Sequence, residues 1–442
     1  MDSVFSLSPD SIQLLQYQDE LSSELWAPAN IVFLCARFAH YEFSRELLNS
    51  LFDSVMVRLT KLIKSTSRDK HCLAFWIANI CQLINYLKKD NGLSVVTLDI
   101  QESLSQSIAE AYTFFVIDTQ RTLQRDLEPS LMEHDPIDEP IEFTDDWRFF
   151  FTRSSSDTLS CPQVITESLS KTLQILQSYH VPPPIVIQGV AQFFYYLSSE
   201  LFNRVLSQKK YLCRSKALQI RLNLSTLEEW LRMEQLPSSL NRAFEPLMQL
   251  LQLLQCLSQM NDIATFSSTV RGFDRLNALQ VKRCVQGYRY ELSEAKLPVH
   301  IESLALQMAA SKQSTERKSL NFNDSKRSSI SSLNSLIGPK SKRMSTPELF
   351  EKLEDEEDDE EEEGEKKNTK YLLPFSVFNT TSLLQDWTEE KQKRSITNRD
   401  DFADTIYREI KLRKLEEYDL LDKIIPCIPY EWLFYLNKKL RV

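Results

Sequence analysis

The sequence runs to 442 residues with a net charge of −10, 42% hydrophobic content, 17 prolines and only six glycines. That is longer than one core usually supports, since single cores stop growing at roughly 250–300 residues, and so few glycines cannot build a G-x-G-x-x-G turn or a P-loop. The charge is local: positions 354–365 are acidic except for Gly364, and without that run 52 basic residues face 51 acidic ones, a near-neutral body that argues against nucleic-acid binding.

Taken in chain order, the first three hundred residues read as successive amphipathic helices. Ser8 and Pro9 make a helix start ahead of Ile12, Leu14 and Leu15. Ile31, Leu34, Cys35 and Phe38 recur at helical spacing, then Leu48, Phe52, Val55, Leu59 and Leu62, then Leu73, Trp76, Ile77, Ile80, Ile84 and Leu87. Asn91-Gly92 is expected to stop that third helix. A helix over 100–123 follows. The Asp-, Pro- and Ser-rich stretch 126–160 reads as a long loop, with Trp147, Phe149 and Phe150 as its ordering residues.

Ile165, Leu169, Leu173 and Leu176 resume the helical period, and Pro182-Pro183-Pro184 breaks the chain before a strongly apolar helix at 185–206. Further helices are expected at 215–234, 241–260 and 278–286, with weaker signals to 308. The stripes Val190, Phe194, Leu197, Leu201, Val205 and Ile220, Leu224, Leu227, Leu231 suggest an antiparallel pair joined by a basic turn. Gln219, Asn223 and Ser225 stand where buried polar groups would fix its register.

From 309 to 369 Ser, Lys, Arg, Asn, Asp and Glu dominate. Such a segment cannot bury enough apolar surface to offset its ordering entropy, and it reads as a disordered insert. Tyr371-Leu372-Leu373-Pro374-Phe375 marks the return of order. Two or three helices are expected in the remainder, anchored on Trp387, Phe402, Ile406, Ile410, Leu415 and Leu420. The resulting division is a helical bundle over 1–308, the insert at 309–369, and C-terminal helices at 370–442 that pack on the bundle. No fixed-period repeat and no sustained heptad occurs, so the fold class is all-α, an irregular multi-helix bundle.

The residues offer little chemistry. The eight cysteines form no C-x-x-C pair, and most lie in apolar helical patterns, as free buried thiols of a reducing compartment do. His71, Cys72 and Cys81 form the densest group, but nine positions separate the two cysteines on one helix and put them on roughly opposite faces. No G-x-S-x-G elbow is present, and Glu228-Glu229 reads as a solvated helix face. No catalytic, cofactor or metal residues are assigned, and the expectation is a non-enzyme without cofactor. The N-terminus lacks the basic region of a signal peptide, and no run of about 18 apolar residues spans a membrane.

Two features suggest contacts with a partner. Between Leu201 and Leu227 there is no acid, while Arg204, Lys209, Lys210, Arg214, Lys216 and Arg221 give six positive charges. They are a candidate face for an acidic partner, anionic lipid or the acidic run itself; a solvated basic surface is the competing reading. In the insert, Ser328, Ser329, Ser345 and Thr346 stand beside basic residues and are candidate phosphorylation positions, each adding about −1.5 to −2 charge.

One stretch is more specific. Phe193–Tyr196, Leu201-Phe202-Asn203, Cys213 with Ser215-Lys216, Gln219-Ile220-Arg221, Asn223, Ser225 and Leu227-Glu228-Glu229-Trp230 occur in that order. This resembles the dilute (DIL) domain of class V myosin cargo-binding tails and of afadin-like and Ras-interacting junction proteins. Phe75-Trp76-Ile77-Ala78-Asn79, Glu245-Pro246-Leu247 and Asn277 to Tyr288 extend the resemblance over about 25–290.

The resemblance implies a myosin V globular-tail-like bundle and a cytoplasmic adaptor in vesicle or organelle trafficking or cortical organisation, at Golgi, vesicle or cell-cortex membranes. Its partners would be proteins such as vesicle adaptors, small GTPases or a myosin. This sequence carries no motor, light-chain-binding helix or coiled coil, so partner binding is what remains. Peripheral lipid binding through the basic face, opposed by the acidic insert, is the alternative.

Overall fold

Ser8 starts the first helix, α1 (Pro9–Leu15), by accepting a hydrogen bond from the Ser11 N–H at 3.1 Å. The computed structural model describes residues 4–17, 24–135, 143, 161–292, 294–310, 372–373, 424–429 and 432. After α1 come α2 (Ala27–Phe38), a π-helical turn (Ala39–Phe43), α3 (Arg45–Ser65), α4 (Lys70–Lys89), the short α5 (Leu93–Val96) and the long α6 (Leu98–Leu127). A second π-helical turn (Glu128–Glu133) extends α6. Then follow α7 (Gln163–Ser178), α8 (Pro183–Ser207), a 3-10 turn (Lys209–Tyr211) and α9 (Arg214–Met233). A 3-10 segment (Ser238–Phe244) leads into α10 (Glu245–Cys256), with α11 (Ile263–Gly272), α12 (Ala278–Gly287) and α13 (299–310) closing the series. Among the described residues the only β pairing is an isolated antiparallel bridge between Phe143 and Glu291, so the chain is all-α.

Two helices are apolar nearly all round, and the rest assemble on them. In α4 every residue from Cys72 to Ile84 is buried, which makes it the axis of the N-terminal half. Helices α1, α2 and α6 pack on it, and α3 packs on α6. Helix α8 plays the same part in the C-terminal half, against α6, α7, α10 and the 238–244 segment. Thirty residues long, about 45 Å by helical rise, α6 touches both axes and joins the halves.

Several expectations change. Helix α2 is buried on two sides, so no single stripe describes it. Ala29, Val32, Phe33 and Ala36 face the main core, Ala27 and Ile31 form a smaller cluster with Val4, and Phe38 is exposed. Gly92 has φ −79° and does not stop α4 by a left-handed turn. The helix ends at the extended Asp90 (ψ 117°), whose Oδ1 accepts the N–H groups of Gly92 and Leu93, each at 3.0 Å. The expected loop at 126–160 does not begin at 126, because α6 continues to Leu127 and the π turn buries Ser130, Leu131 and Met132. Trp147, Phe149 and Phe150 lie outside the described residues.

Helix α11 was not anticipated. Its start is the Asp262 carboxylate, which accepts the Thr265 N–H at 2.8 Å. The hairpin expected of α8 and α9 is also different. Cys213 is extended (φ −144°, ψ 166°), and Tyr211 and Leu212 are fully buried in the connection. The chain is thereby redirected so that α9 packs mainly on α10 and the 128–133 turn, and Phe194 and Trp230 are in ring contact at 6.0 Å.

Two pieces of the C-terminal stretch lie on the bundle. Leu372 and Leu373 pack against the main core, and Ile424 is buried there. Ile428 and Trp432 pack with Val4, Ala27 and Ile31, and the Cys427 carbonyl accepts from Asn30 Nδ2 at 3.0 Å. The anchors expected at Trp387, Phe402, Ile406, Ile410, Leu415 and Leu420 lie outside the described residues, as do the acidic run and Ser328, Ser329, Ser345 and Thr346.

Candidate partner-binding surface

The six basic residues of the α8–α9 connection divide into two groups. Arg204, on the last turn of α8, places Nη1 2.9 Å from Glu128 Oε2 and Nε 3.6 Å from Glu200. Lys210 Nζ lies 3.1 Å from Glu128 Oε1 and 2.8 Å from Glu133 Oε1, and Lys216 Nζ lies 3.5 Å from Glu133 Oε2. These three cations close the end of α6 onto the connection. Lys209, Arg214 and Arg221 are exposed, with Arg221 Nη1 donating to Gln255 Oε1 at 3.4 Å.

Tyr211 sits at the centre of this clasp. Its hydroxyl oxygen lies 2.7 Å from Glu128 Oε1 and 2.6 Å from Glu133 Oε1, and its one proton goes to one carboxylate at a time. Burial alone would raise both carboxyls. For Glu128 the bonds from Tyr211 and Lys210 and the charge of Arg204 outweigh it; for Glu133 the bonds from Lys210 and Tyr211 and the charge of Lys216 do. Both groups are held below the ordinary glutamate value. Burial and then the same two carboxylates push the Tyr211 phenol far up.

Amides complete the contact. Gln219 Nε2 donates to the carbonyls of Glu133 (3.1 Å) and His134, and Asn223 Nδ2 donates to those of Leu131 (3.1 Å) and His134 (2.8 Å). The carbonyls at the end of the π turn, which have no helical partner, are thus satisfied by α9. Ser225 is exposed and bonds only within its own helix, to Leu222 O.

The start of α9 is capped from a distance, because Cys213 offers no side-chain bond. Glu291 accepts from the Ser215 N–H at 2.7 Å and from its hydroxyl at 2.9 Å, a carboxylate at a helix N-terminus. The main chain beside it is fixed by Arg289 N–H donating to Leu212 O at 2.8 Å.

Glu128, Glu133 and Glu291 were not singled out in the sequence, where they are ordinary acids in weakly patterned stretches. The one available signal was the acid-free run itself, which had to be balanced by something.

The other motif amides behave alike. Asn79 of Phe75–Asn79 donates from Nδ2 to Leu25 O at 3.1 Å and accepts the Ala29 N–H at 3.3 Å, fixing the entry to α2. Trp230 Nε1 donates to Ser170 Oγ at 2.7 Å, tying α9 to α7. His71, Cys72 and Cys81 do not converge. His71 Nδ1 lies 3.2 Å from the Tyr179 hydroxyl, Cys72 Sγ donates to Asp69, and burial pushes the Cys81 thiol up to about 12.

A separate open groove of about 410 Å³ lies at the C-terminal end of α4. It is lined by Phe33, Arg37, Tyr41, Tyr86 and Lys89, with Ile424 and Pro426 as one wall. Arg37 stacks over the Phe33 and Tyr41 rings at 5.9 and 5.8 Å and pairs with Asp90 at 3.1 Å. Phe38 and Tyr41 are each more than half exposed nearby in sequence.

The bundle is thus a helical scaffold whose motif residues clip its own main chain, with aromatic and basic surface left outside. The DIL domain family model matches residues 188–292. A dilute domain-containing protein of Schizosaccharomyces pombe is 30% identical over 299 residues, covering 61% of this chain and 52% of that protein. Human unconventional myosin-Va is 29% identical over 262 residues, covering 54% of this chain and 14% of the myosin. The chain therefore spans about half the length of the yeast relative and a small part of the myosin.

Among solved structures, Myo2-GTD in complex with Mmr1 superposes with a TM-score of 0.53 at 15% identity, over 68% of this chain and 77% of that one. Myo2-GTD has also been solved with Smy1 and with Inp2. Residues 188–292 thus match the DIL domain, and the chain has the fold of the myosin V cargo-binding tail.

Proposed function

We propose that this chain is a non-enzymatic protein-interaction module, an adaptor in vesicle or organelle trafficking or cortical organisation that works on the cytoplasmic side of a membrane. Its partners are proteins of the vesicle-adaptor, small-GTPase or myosin type. The observation that carries this reading is the fold itself, which over most of the bundle follows Myo2-GTD, a tail solved with three protein partners. Tyr41, which lines the Arg37 groove, and the exposed Phe38 three positions before it are the surface of choice, because aromatic residues and arginine dominate binding energetics at interfaces.

The test is proximity labelling in cells with the intact chain and with Tyr41→Asp and Phe38→Asp. The expected result is a set of vesicle or organelle proteins enriched over control and reduced by the variants. A labelling profile identical to that of an unrelated soluble protein would sink the reading.

The membrane reading keeps Lys209, Arg214 and Arg221, which are exposed near one another in sequence. It is weakened by the pairing of Arg204, Lys210 and Lys216 with Glu128 and Glu133. Flotation with phosphatidylserine vesicles decides between them, and failure to float at low salt removes this alternative.

A further inference from the structure

Asn203 ends the Leu201-Phe202-Asn203 triplet on α8, yet its side chain neither points into the core nor joins the clasp that begins at its neighbour Arg204. It meets the main chain of Leu373, 170 positions later, at two points. Nδ2 donates to Leu373 O at 3.1 Å and Oδ1 accepts from Leu373 N–H at 2.7 Å. An amide bonded to both the N–H and the C=O of one residue copies the pairing an antiparallel strand would offer, and it selects an extended backbone. Leu372 and Leu373 are half-buried, with their side chains against the main core.

What holds this dipeptide is therefore one backbone-reading amide plus aliphatic contact. None of these contacts depends on the two leucines being part of this chain. Arg204 faces Glu128, so the adjoining charge is already answered.

We propose that Asn203 and the apolar surface beside it form a peptide-binding site, occupied in cis by Leu372-Leu373, for an extended segment of a partner protein that presents two consecutive large aliphatic residues. The cis segment competes as a tethered ligand, so such a partner engages when its local concentration exceeds the effective concentration of the tether. The proposal rests on the protein-interaction reading only for the identity of the competitor.

The experiment uses the full chain and a fluorescent peptide of sequence Tyr-Leu-Leu-Pro-Phe, that of positions 371–375. Three proteins are compared by anisotropy: wild type, Leu372→Asp/Leu373→Asp with the site emptied, and the emptied chain with Asn203→Asp. The emptied chain should bind about tenfold or more tightly than wild type. Asn203→Asp, which removes the donor, should weaken that binding by about tenfold.

Circular dichroism melting checks that each variant is folded. A second probe needs no change at Asn203: the same peptide N-methylated at its second leucine lacks the N–H that Asn203 Oδ1 accepts, and it should bind the emptied chain about tenfold less well. Equal binding by wild type and emptied chain, no binding to the emptied chain, or undiminished binding of the methylated peptide would each overturn the proposal. Loss of cellular partners with peptide binding intact would count against the adaptor reading alone.

Discussion

Asn223 and Ser225 stand two positions apart on α9 and have different roles. Asn223 is buried and holds two carbonyls at the end of the π turn, whereas Ser225 faces solvent. Asn223→Ala leaves those carbonyls without their donor and should cost about 1–3 kcal/mol in urea denaturation, while Ser225→Ala should stay within about 0.5 kcal/mol. Equal effects would mean the amide is not the clip described.

The carboxylates beside it give a pH signature. Glu128 and Glu133 have folded pKa values below the ordinary 4.5. A depressed carboxylate contributes stability that is fully present above its unfolded value and is lost as pH falls through the folded one. Stability of the wild type should therefore decline below about pH 4.5. Glu128→Gln/Glu133→Gln should lower stability at pH 7 and flatten that decline. Parallel pH profiles for the two proteins would remove the clasp from the account.

At the level of elements, glycine has two different reasons to be present. At Gly92 a Cβ would collide with the Tyr41 hydroxyl and lie 2.8 Å from its Cζ. Tyr41 is itself bonded to Asp90 Oδ1 at 2.9 Å, so the ring cannot move without losing that bond. Gly272 ends α11 with nothing within 4 Å of the added atom. Gly92→Ala should destabilise by about 1–3 kcal/mol through overpacking. Gly272→Ala should be neutral or stabilise by up to about 1 kcal/mol through helix propensity. Thermal melts of both variants check the opposite signs. The same contrast explains why Asn91-Gly92 looked like a helix stop: the composition of the turn was right, but the constraint comes from α2 and the π turn folding back over it.

For the whole molecule, the decisive element is α6, which contacts both apolar axes and carries at its end the acids that pin the α8–α9 connection. The bundle closes at α13, where Ala305 and Ala309 are still buried. Removal of 311–369 should therefore leave a soluble chain with one cooperative thermal transition, whereas a deletion that begins at 305 should lower the midpoint by several degrees, about 2–4 °C per kcal/mol lost. A broad, multi-step melt after the first deletion would show that the insert is part of the folding unit.

The helical class, most of the helix positions and the DIL resemblance were legible in the sequence, because a 3.6-residue apolar period and an ordered motif are properties of nearby residues. Even the strongest local signal, the acid-free basic run, was readable as charge but not as contact. Its counter-ions Glu128 and Glu133 come from a stretch read as loop, and Glu291 comes from beyond α12. Which helices pair, which amide holds which main chain, and which of six cations remain exposed depend on residues some 75 to 400 positions apart. Those pairings depend on how the apolar faces of α4, α6 and α8 fill space together, so the local pattern fixed the elements and only the packed structure decided their partners.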